Sequence, residues 1–143
     1  CKKKAIIVKK DEKELNYRML LNLGHTFAHA IEKELNYKVK HGEAVSVGLL
    51  MAIKLSVLLD KTNFINFNLI KAHMKKLNLP TTLNCLKPNQ KWNAKSLIRN
   101  MQSDKKRVDK NIKFILLNDI GKAYIQNHVS NEKIQLTIKE FFK

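Results

Sequence analysis

The residues NYRMLLNLGHTFAHAIEKELNYKVKHGE, at positions 16–43, decide how this chain of 143 residues is interpreted. They contain three of its five histidines. On a helix over Leu15–Leu35, side chains separated by steps of four, three and four residues fall on one stripe. These side chains are Arg18, Asn22, His25 and His29. Apolar residues crowd both sides of the stripe, and polar groups in such surroundings are costly without partners. A metal ion and an anionic ligand would supply partners.

A metal site has to be weighed against an ordinary helix surface. Two histidines four residues apart, such as His25 and His29, are common on helices without a metal. Gly24 strengthens the metal interpretation, because glycine inside a helix costs roughly 1 kcal/mol relative to alanine and suggests the close approach of a neighbour or ligand. His41 precedes a second apolar helix and could fold back onto His25. Zinc accepts two imidazoles and a carboxylate and keeps a position for substrate, but these residues alone leave the metal unspecified.

Two motifs carry a resemblance to a known family. LLNLGHTFAHAIE at 20–32 and HGEAVSVGLLMA at 41–52 together resemble 3-dehydroquinate synthases, which are sugar-phosphate cyclases. The resemblance extends from Lys4 through the DKK-containing segment Met101–Lys106 to IGKA at Ile120–Ala123. It implies that residues 1–143 form a mainly helical C-terminal domain with a short β-hairpin. It also implies a carbon–oxygen lyase that converts DAHP, a seven-carbon keto-acid sugar phosphate, to 3-dehydroquinate with release of phosphate in the shikimate pathway.

The resemblance further implies cofactors, partners and residue roles. The family uses NAD and Zn²⁺ or Co²⁺, and its members are homodimers. His25 and His41 correspond to metal ligands, and His29 to a catalytic residue near the phosphate with a proton-transfer role. Lys4 and Arg18 correspond to catalytic residues that hold the substrate carboxylate. The implied phosphate contacts are Asn22, His29 and one or both of Lys105 and Lys106.

Two departures from the family pattern affect these expectations. Ala28 stands where the family usually has glycine between the two histidines, and this small change is expected to be tolerated. The family's third zinc ligand, a glutamate, and its NAD-binding region lie in an N-terminal domain that this sequence lacks. A chain that begins at Cys1 within ordinary structure suggests a fragment or a processed piece. We therefore expect the isolated chain to be inactive, with at best a weak two-histidine zinc site.

The rest of the chain predicts helices and one hairpin. The predicted helices are Gly42–Asp60, Asn66–Leu77, Trp92–Met101 and Asn131–Lys143, and the predicted hairpin joins Ile112–Leu117 to Lys122–Val129. Lys4–Val8 is a strand or a helix by pattern, and the resemblance favours a helix with Lys4 facing the pocket. Thr81–Gln90 is a predicted loop. Gly42–Asp60 is apolar nearly all round, which predicts the buried centre of a bundle. It does not predict a membrane span, because only about ten uncharged residues precede Lys54.

Composition favours an enzyme domain over a nucleic-acid-binding module. The formal net charge of +16 comes almost entirely from lysines scattered along the chain, and arginine occurs only at positions 18, 99 and 107. Base readout and bidentate phosphate contacts favour arginine. Cys1 and Cys85 are too few for a disulfide scaffold, and without a secretion signal the default compartment is the cytoplasm. The remaining alternatives are a related sugar-phosphate cyclase, a metal-dependent alcohol dehydrogenase of similar fold, and an inactive fragment or basic binding module.

Overall fold

A computed structural model describes residues 2–11, 18–103 and 112–143. It confirms a mainly helical fold with one two-stranded sheet. The α-helices are α1 (Lys2–Lys10), α2 (His25–Glu34), α3 (His41–Leu58), α4 (Phe64–Lys76), α5 (Leu83–Leu86), α6 (Ala94–Gln102) and α7 (Asn131–Lys139). A 3-10 helix covers Arg18–Asn22, and the strands are β1 (Phe114–Asp119) and β2 (Lys122–Gln126).

Helix α3 is the centre of the fold, as its apolar sequence predicts. It packs against α2, α4, α5, α7 and β1. Within the described residues, α3 is the one helix long and apolar enough to cross a membrane, with a mean hydropathy of 1.4, but 56% of that span is buried by the rest of the fold. Lys54 does not break the core, because its ammonium lies 2.8 Å from a carboxylate oxygen of Glu140 and over the rings of Phe64 and Phe67.

The predicted continuous helix over Leu15–Leu35 is wrong. The 3-10 helix ends at Asn22. A turn follows at Leu23 and Gly24, and α2 begins at His25. The reason is the left-handed backbone of Gly24, whose φ of 80° ends one helix and begins the next. Gly24 is thus the residue before α2, not an interior helical residue, and residues 12–17 lie outside the described part of the chain.

The close approach that Gly24 suggested is present, and a second glycine shares it. A Cβ added to Gly24 would lie 2.5 Å from the backbone nitrogen of Leu49 on α3. A Cβ added to Gly48 would lie 2.5 Å from the carbonyl oxygen of Gly24 and 2.9 Å from the backbone nitrogen of Ala28. The backbones of α2 and α3 therefore touch directly where the two helices cross.

The predicted hairpin is confirmed. Its strands are antiparallel, with Ile115 opposite Ile125 and a register shift between Leu117 and Asp119. Gly121, with a φ of 80°, completes the turn between them. The buried hydroxyl of Ser56 on α3 accepts a hydrogen bond of 3.0 Å from the backbone N–H of Leu117, which fixes β1 against the central helix.

The other predicted helices are confirmed with small shifts at their ends. Lys4–Val8 lies in α1, so the helix favoured by the resemblance is the correct alternative. The predicted loop at Thr81–Gln90 is wrong in part, because Leu83–Leu86 forms the short helix α5. Leu83 is fully buried, and its backbone N–H donates to the carbonyl of Phe141 at 2.8 Å, so tertiary packing overrides the local loop pattern.

The glycine contact between α2 and α3 leads to a stability prediction. We expect Gly48→Ala to lower the free energy of unfolding by about 1–3 kcal/mol, because the added methyl group would overlap backbone atoms that cannot move away cheaply. The measurement is urea unfolding followed by circular dichroism. The control is Gly42→Ala, also in α3, where an added Cβ meets nothing within 4 Å. Equal stability of the two variants would contradict the tight crossing.

The phenol of Tyr124 leads to a second prediction. Burial raises the pKa of Tyr124, and its buried hydroxyl has no hydrogen-bond partner among the described residues. The folded state therefore keeps this proton at pH values where the unfolded state releases it, so stability falls as the pH rises above about 10. We expect Tyr124→Phe to be as stable as the parent at neutral pH, or more stable, and to lose less stability between pH 9 and pH 11.

Thermal unfolding across this pH range checks the Tyr124 prediction. Tyr37→Phe is the matched control, because Tyr37 is 74% exposed. Lysine titration affects all three proteins alike and cancels in the comparison. A Tyr124→Phe profile parallel to that of Tyr37→Phe would contradict the prediction.

Candidate active site

Three imidazoles meet where α2 and α3 begin. The ring centroids of His25 and His41 are 5.5 Å apart, those of His25 and His29 are 5.7 Å apart, and those of His29 and His41 are 6.3 Å apart. His25 is partly buried, while His29 and His41 are exposed. The fold of His41 back onto His25, which the sequence left open, is therefore present.

The surroundings of His25 and His41 suit nitrogen ligands. The Nδ1 atom of His25 lies 3.4 Å from the carbonyl oxygen of Leu23, and that of His41 lies 2.9 Å from a carboxylate oxygen of Glu32. Both partners are acceptors, so in the neutral imidazole they favour the tautomer with the proton on Nδ1 and a free lone pair on Nε2. Burial lowers the pKa of His25 despite the Leu23 carbonyl, which favours the neutral imidazole that binds metals.

The spacing of these two rings fits a shared metal ion. Two imidazoles bound through Nε2 at about 2.1 Å to a tetrahedral ion have ring centroids roughly 5 Å apart, close to the 5.5 Å between His25 and His41. Among residues 2–11, 18–103 and 112–143, no group of three His, Cys, Asp or Glu side chains could hold a metal ion. The described residues thus provide two donors, and a complete site needs at least one more.

A cleft of about 270 Å³ adjoins the histidines. Its lining residues are Met19, Asn22, His25, Thr26, His29, Lys113 and Ile115. The Thr26 hydroxyl donates a hydrogen bond of 2.9 Å to the backbone carbonyl of Lys113, which connects the start of α2 to the hairpin. The cleft therefore offers an amide, two imidazoles, a hydroxyl and an ammonium to a polar ligand.

A second hydrogen bond connects the other end of α2 to the rest of the fold. There, Lys33 Nζ donates to the Ser103 hydroxyl just after α6.

The structure brings together only part of the predicted set. Asn22, His25 and His29 line one cleft, although the 3-10 helix and the Gly24 turn, not a continuous helix, bring them there. Arg18 lies at the start of the 3-10 helix, and its backbone N–H donates to a carboxylate oxygen of Asp11 at 3.0 Å. Lys4 is exposed on α1 and is not among the described residues that line the cleft. Lys105 and Lys106 lie outside the described residues.

Three residues of the site did not emerge from the sequence. Glu32 is seven residues after His25, which is two helical turns, so helical spacing could have placed it on the histidine face. Thr26 and Lys113 are 87 residues apart in sequence, and only the tertiary fold brings them together. No short-range pattern could have identified that pair.

Solved structures establish the class of this fold. The chain is similar to a crystal structure of 2-deoxy-scyllo-inosose synthase complexed with carbaglucose-6-phosphate, NAD⁺ and Co²⁺, with a TM-score of 0.80 and 23% identity over 97% of this chain and 39% of that one. It is also similar to ValA, a 2-epi-5-epi-valiolone synthase from Streptomyces hygroscopicus with NAD⁺ and Zn²⁺ bound, with a TM-score of 0.77 and 20% identity over 95% of this chain and 36% of that one. The chain has the fold of the matching part of these two synthases, which are sugar-phosphate cyclases.

Sequence comparison identifies the family within that class. The model of the 3-dehydroquinate synthase C-terminal family matches residues 1–107. The 3-dehydroquinate synthase of Ruthia magnifica is 40% identical over 142 residues, which are 99% of this chain and 38% of that protein. The enzyme of Endomicrobium trichonymphae is 42% identical over 143 residues, 99% of this chain and 37% of that protein. The chain belongs to the 3-dehydroquinate synthase family and spans less than two fifths of the length of these relatives.

Proposed function

We propose that this chain is the metal- and substrate-binding part of a 3-dehydroquinate synthase. The proposed reaction converts DAHP to 3-dehydroquinate and inorganic phosphate, a carbon–oxygen lyase reaction in the shikimate pathway that precedes aromatic amino acids. The observation that carries this proposal is the cleft lined by Asn22, His25 and His29, with His41 beside it, in a chain of this family. The fold's solved relatives hold NAD⁺ with Co²⁺ or Zn²⁺, which supports the same cofactors here.

In this proposal His25 and His41 hold the metal through their Nε2 atoms. Their Nδ1 contacts, and the burial that lowers the pKa of His25, favour that role. When bound, the metal supplies a Lewis acid that orients substrate hydroxyls and lowers their pKa. A further donor and the NAD site would come from residues other than those that the structure describes.

The remaining cleft residues act on the charged ends of the substrate. The Asn22 amide donates to phosphate oxygens, and Lys105 or Lys106 adds positive charge there. The Arg18 guanidinium and the Lys4 ammonium hold the carboxylate, since a guanidinium forms two parallel hydrogen bonds to that group. His29 is exposed at the cleft and can accept a proton from the substrate or return one to the leaving phosphate.

A second candidate is a related cyclase that acts on another sugar phosphate. The solved structures of similar fold are such enzymes. Arg18 favours DAHP, because DAHP carries a carboxylate that a simple sugar phosphate lacks. Identity of about 40% to 3-dehydroquinate synthases supports the same choice. We further propose that the protein is a cytoplasmic homodimer that binds neither nucleic acid nor a membrane.

The metal ligands lead to a binding prediction. In the longest natural polypeptide that carries this chain, we expect His25→Ala and His41→Ala each to weaken Zn²⁺ binding by more than about a hundredfold. Loss of a residue that only supports a metal ligand weakens binding by about 10–100-fold, and loss of the ligand itself should cost more. Competition with a chromophoric chelator measures the affinity. His29→Ala should retain zinc but lose turnover. His73→Ala, an exposed change on α4, is the control. Zinc affinity unchanged in His25→Ala would contradict the assignment.

The proposed reaction is tested by phosphate release. We expect the longest natural polypeptide, supplied with NAD⁺ and Zn²⁺, to release phosphate from DAHP and not from glucose 6-phosphate. The 143-residue chain alone should release none, because the described residues provide only two metal donors. Arg18→Gln should raise the KM for DAHP roughly ten- to hundredfold, the range for a lost hydrogen bond to a charged group.

Arg99→Gln is the matched control for Arg18→Gln, because Arg99 is exposed on α6. Its KM should equal that of the parent. Release from glucose 6-phosphate but not DAHP would favour the related cyclase instead. Zinc-dependent release by the 143-residue chain alone would show that the two-donor interpretation is wrong.

A further inference from the structure

We infer that Glu32 is a positioning residue that orients His41 for metal binding. This inference rests on the proposed function, because it concerns the same two-histidine site. Glu32 is the last residue of the LLNLGHTFAHAIE motif, but neither the resemblance nor the roles proposed above give it a function. In this role Glu32 contacts neither metal nor substrate and acts through the imidazole of His41.

The contact between Glu32 and His41 is short, and its two side chains differ in exposure. The Glu32 carboxylate oxygen lies 2.9 Å from Nδ1 of His41, within the range of a charge-assisted hydrogen bond. The Glu32 side chain is 13% exposed, whereas that of His41 is 58% exposed. The carboxylate is thus the fixed member of the pair, and the imidazole is the member that would otherwise rotate freely in solvent.

The fixed position of Glu32 comes from the helix crossing. Glu32 lies on α2, and the backbone at Gly24, just before α2, and at Ala28 touches α3 at Gly48. His41 is the first residue of α3. Because the two helices cannot slide without a clash at the glycines, the distance from Glu32 to His41 is set by the fold and not by two flexible side chains.

A second carboxylate shows that this pairing is selective. Glu43 is only two residues from His41, yet its nearest cation is Lys40, at 4.0 Å, and its side chain is 43% exposed. Surface pairs of that kind contribute little. The carboxylate that contacts the ring is the more buried one, on the neighbouring helix.

The chemistry gives the contact a purpose. A carboxylate that accepts from Nδ1–H holds the imidazole in the tautomer with a free Nε2 lone pair, fixes the ring plane and increases the basicity of Nε2. Carboxylates in this position are frequent partners of metal-bound histidines, and their removal typically weakens metal affinity by 10–100-fold. Without Glu32, the imidazole of His41 would lose its fixed orientation and its preferred tautomer in the metal-free protein.

Zinc affinity is the first test, measured on the longest natural polypeptide that carries this chain. Glu32→Ala should weaken Zn²⁺ binding about 10–100-fold. Glu32→Gln, whose amide oxygen still accepts from Nδ1–H, should recover most of that loss. Glu43→Gln removes a neighbouring carboxylate that does not contact the ring, and should bind within about twofold of the parent, as for an exposed charge. A Glu32→Ala affinity equal to that of Glu43→Gln would overturn the inference.

The tautomer of His41 in the metal-free protein is the second test. ¹⁵N NMR should show Nδ1–H in the parent and in Glu32→Gln, and a shift toward Nε2–H in Glu32→Ala. A merely structural carboxylate would not alter this signature. Glu32→Gln as weak as Glu32→Ala, with an unchanged tautomer, would mean that Glu32 is itself a ligand and would overturn the positioning role.

The two tests separate this inference from the proposed function. If the parent binds no zinc, the proposed function fails, while the NMR signature still decides whether Glu32 orients His41. If the parent binds zinc and Glu32→Ala binds equally well, the inference fails and the proposed function stands. Circular dichroism of each variant identifies any loss of affinity that comes from unfolding.

Discussion

The contact between Gly24 and Gly48 is the constraint on which the site depends. It allows the backbones of α2 and α3 to touch, with no room for a Cβ on either glycine. The contact joins the start of α2 to Gly48, two turns into α3, and the crossing that it sets brings His25 and His29 on α2 within reach of His41 on α3. A wider crossing, as side chains at these positions would require, would separate the imidazoles by more than a single ion can span.

The same crossing explains how a mainly apolar pair of helices carries a polar site. The buried faces of α2 and α3 form the core with Phe27, Ile31, Val47 and Leu50. The histidines lie at the ends, where the helices begin and the chain is partly exposed. Polar groups are placed at the edge of the core and not in it, so their desolvation cost stays small. His25 is the most buried of the three, and its burial lowers its pKa.

Much of this arrangement is visible in the sequence, and the failures have physical causes. The central helix, the hairpin and the closing helix are predicted because their periodicity and turn residues act locally. The continuous helix over Leu15–Leu35 is not correct, because the apolar pattern continues through Gly24 while the backbone reverses its hand there. The short helix at Leu83–Leu86 exists only through its packing and its bond to Phe141. Lys113 and Thr26 are 87 residues apart in the sequence, so no local pattern predicts the hydrogen bond between them.

Ser103 and Lys113, which lie on either side of residues 104–111, are both hydrogen-bonded to α2. Ser103 meets Lys33 near the end of α2, and the Lys113 carbonyl meets Thr26 near its beginning. Two helical turns separate these anchors, roughly 10 Å at 1.5 Å per residue. The two hydrogen bonds therefore hold Ser103 and Lys113 at opposite ends of α2. Helix α2 therefore ties the end of α6 to the start of the hairpin, and a change that displaced α2 would displace both together with the histidines.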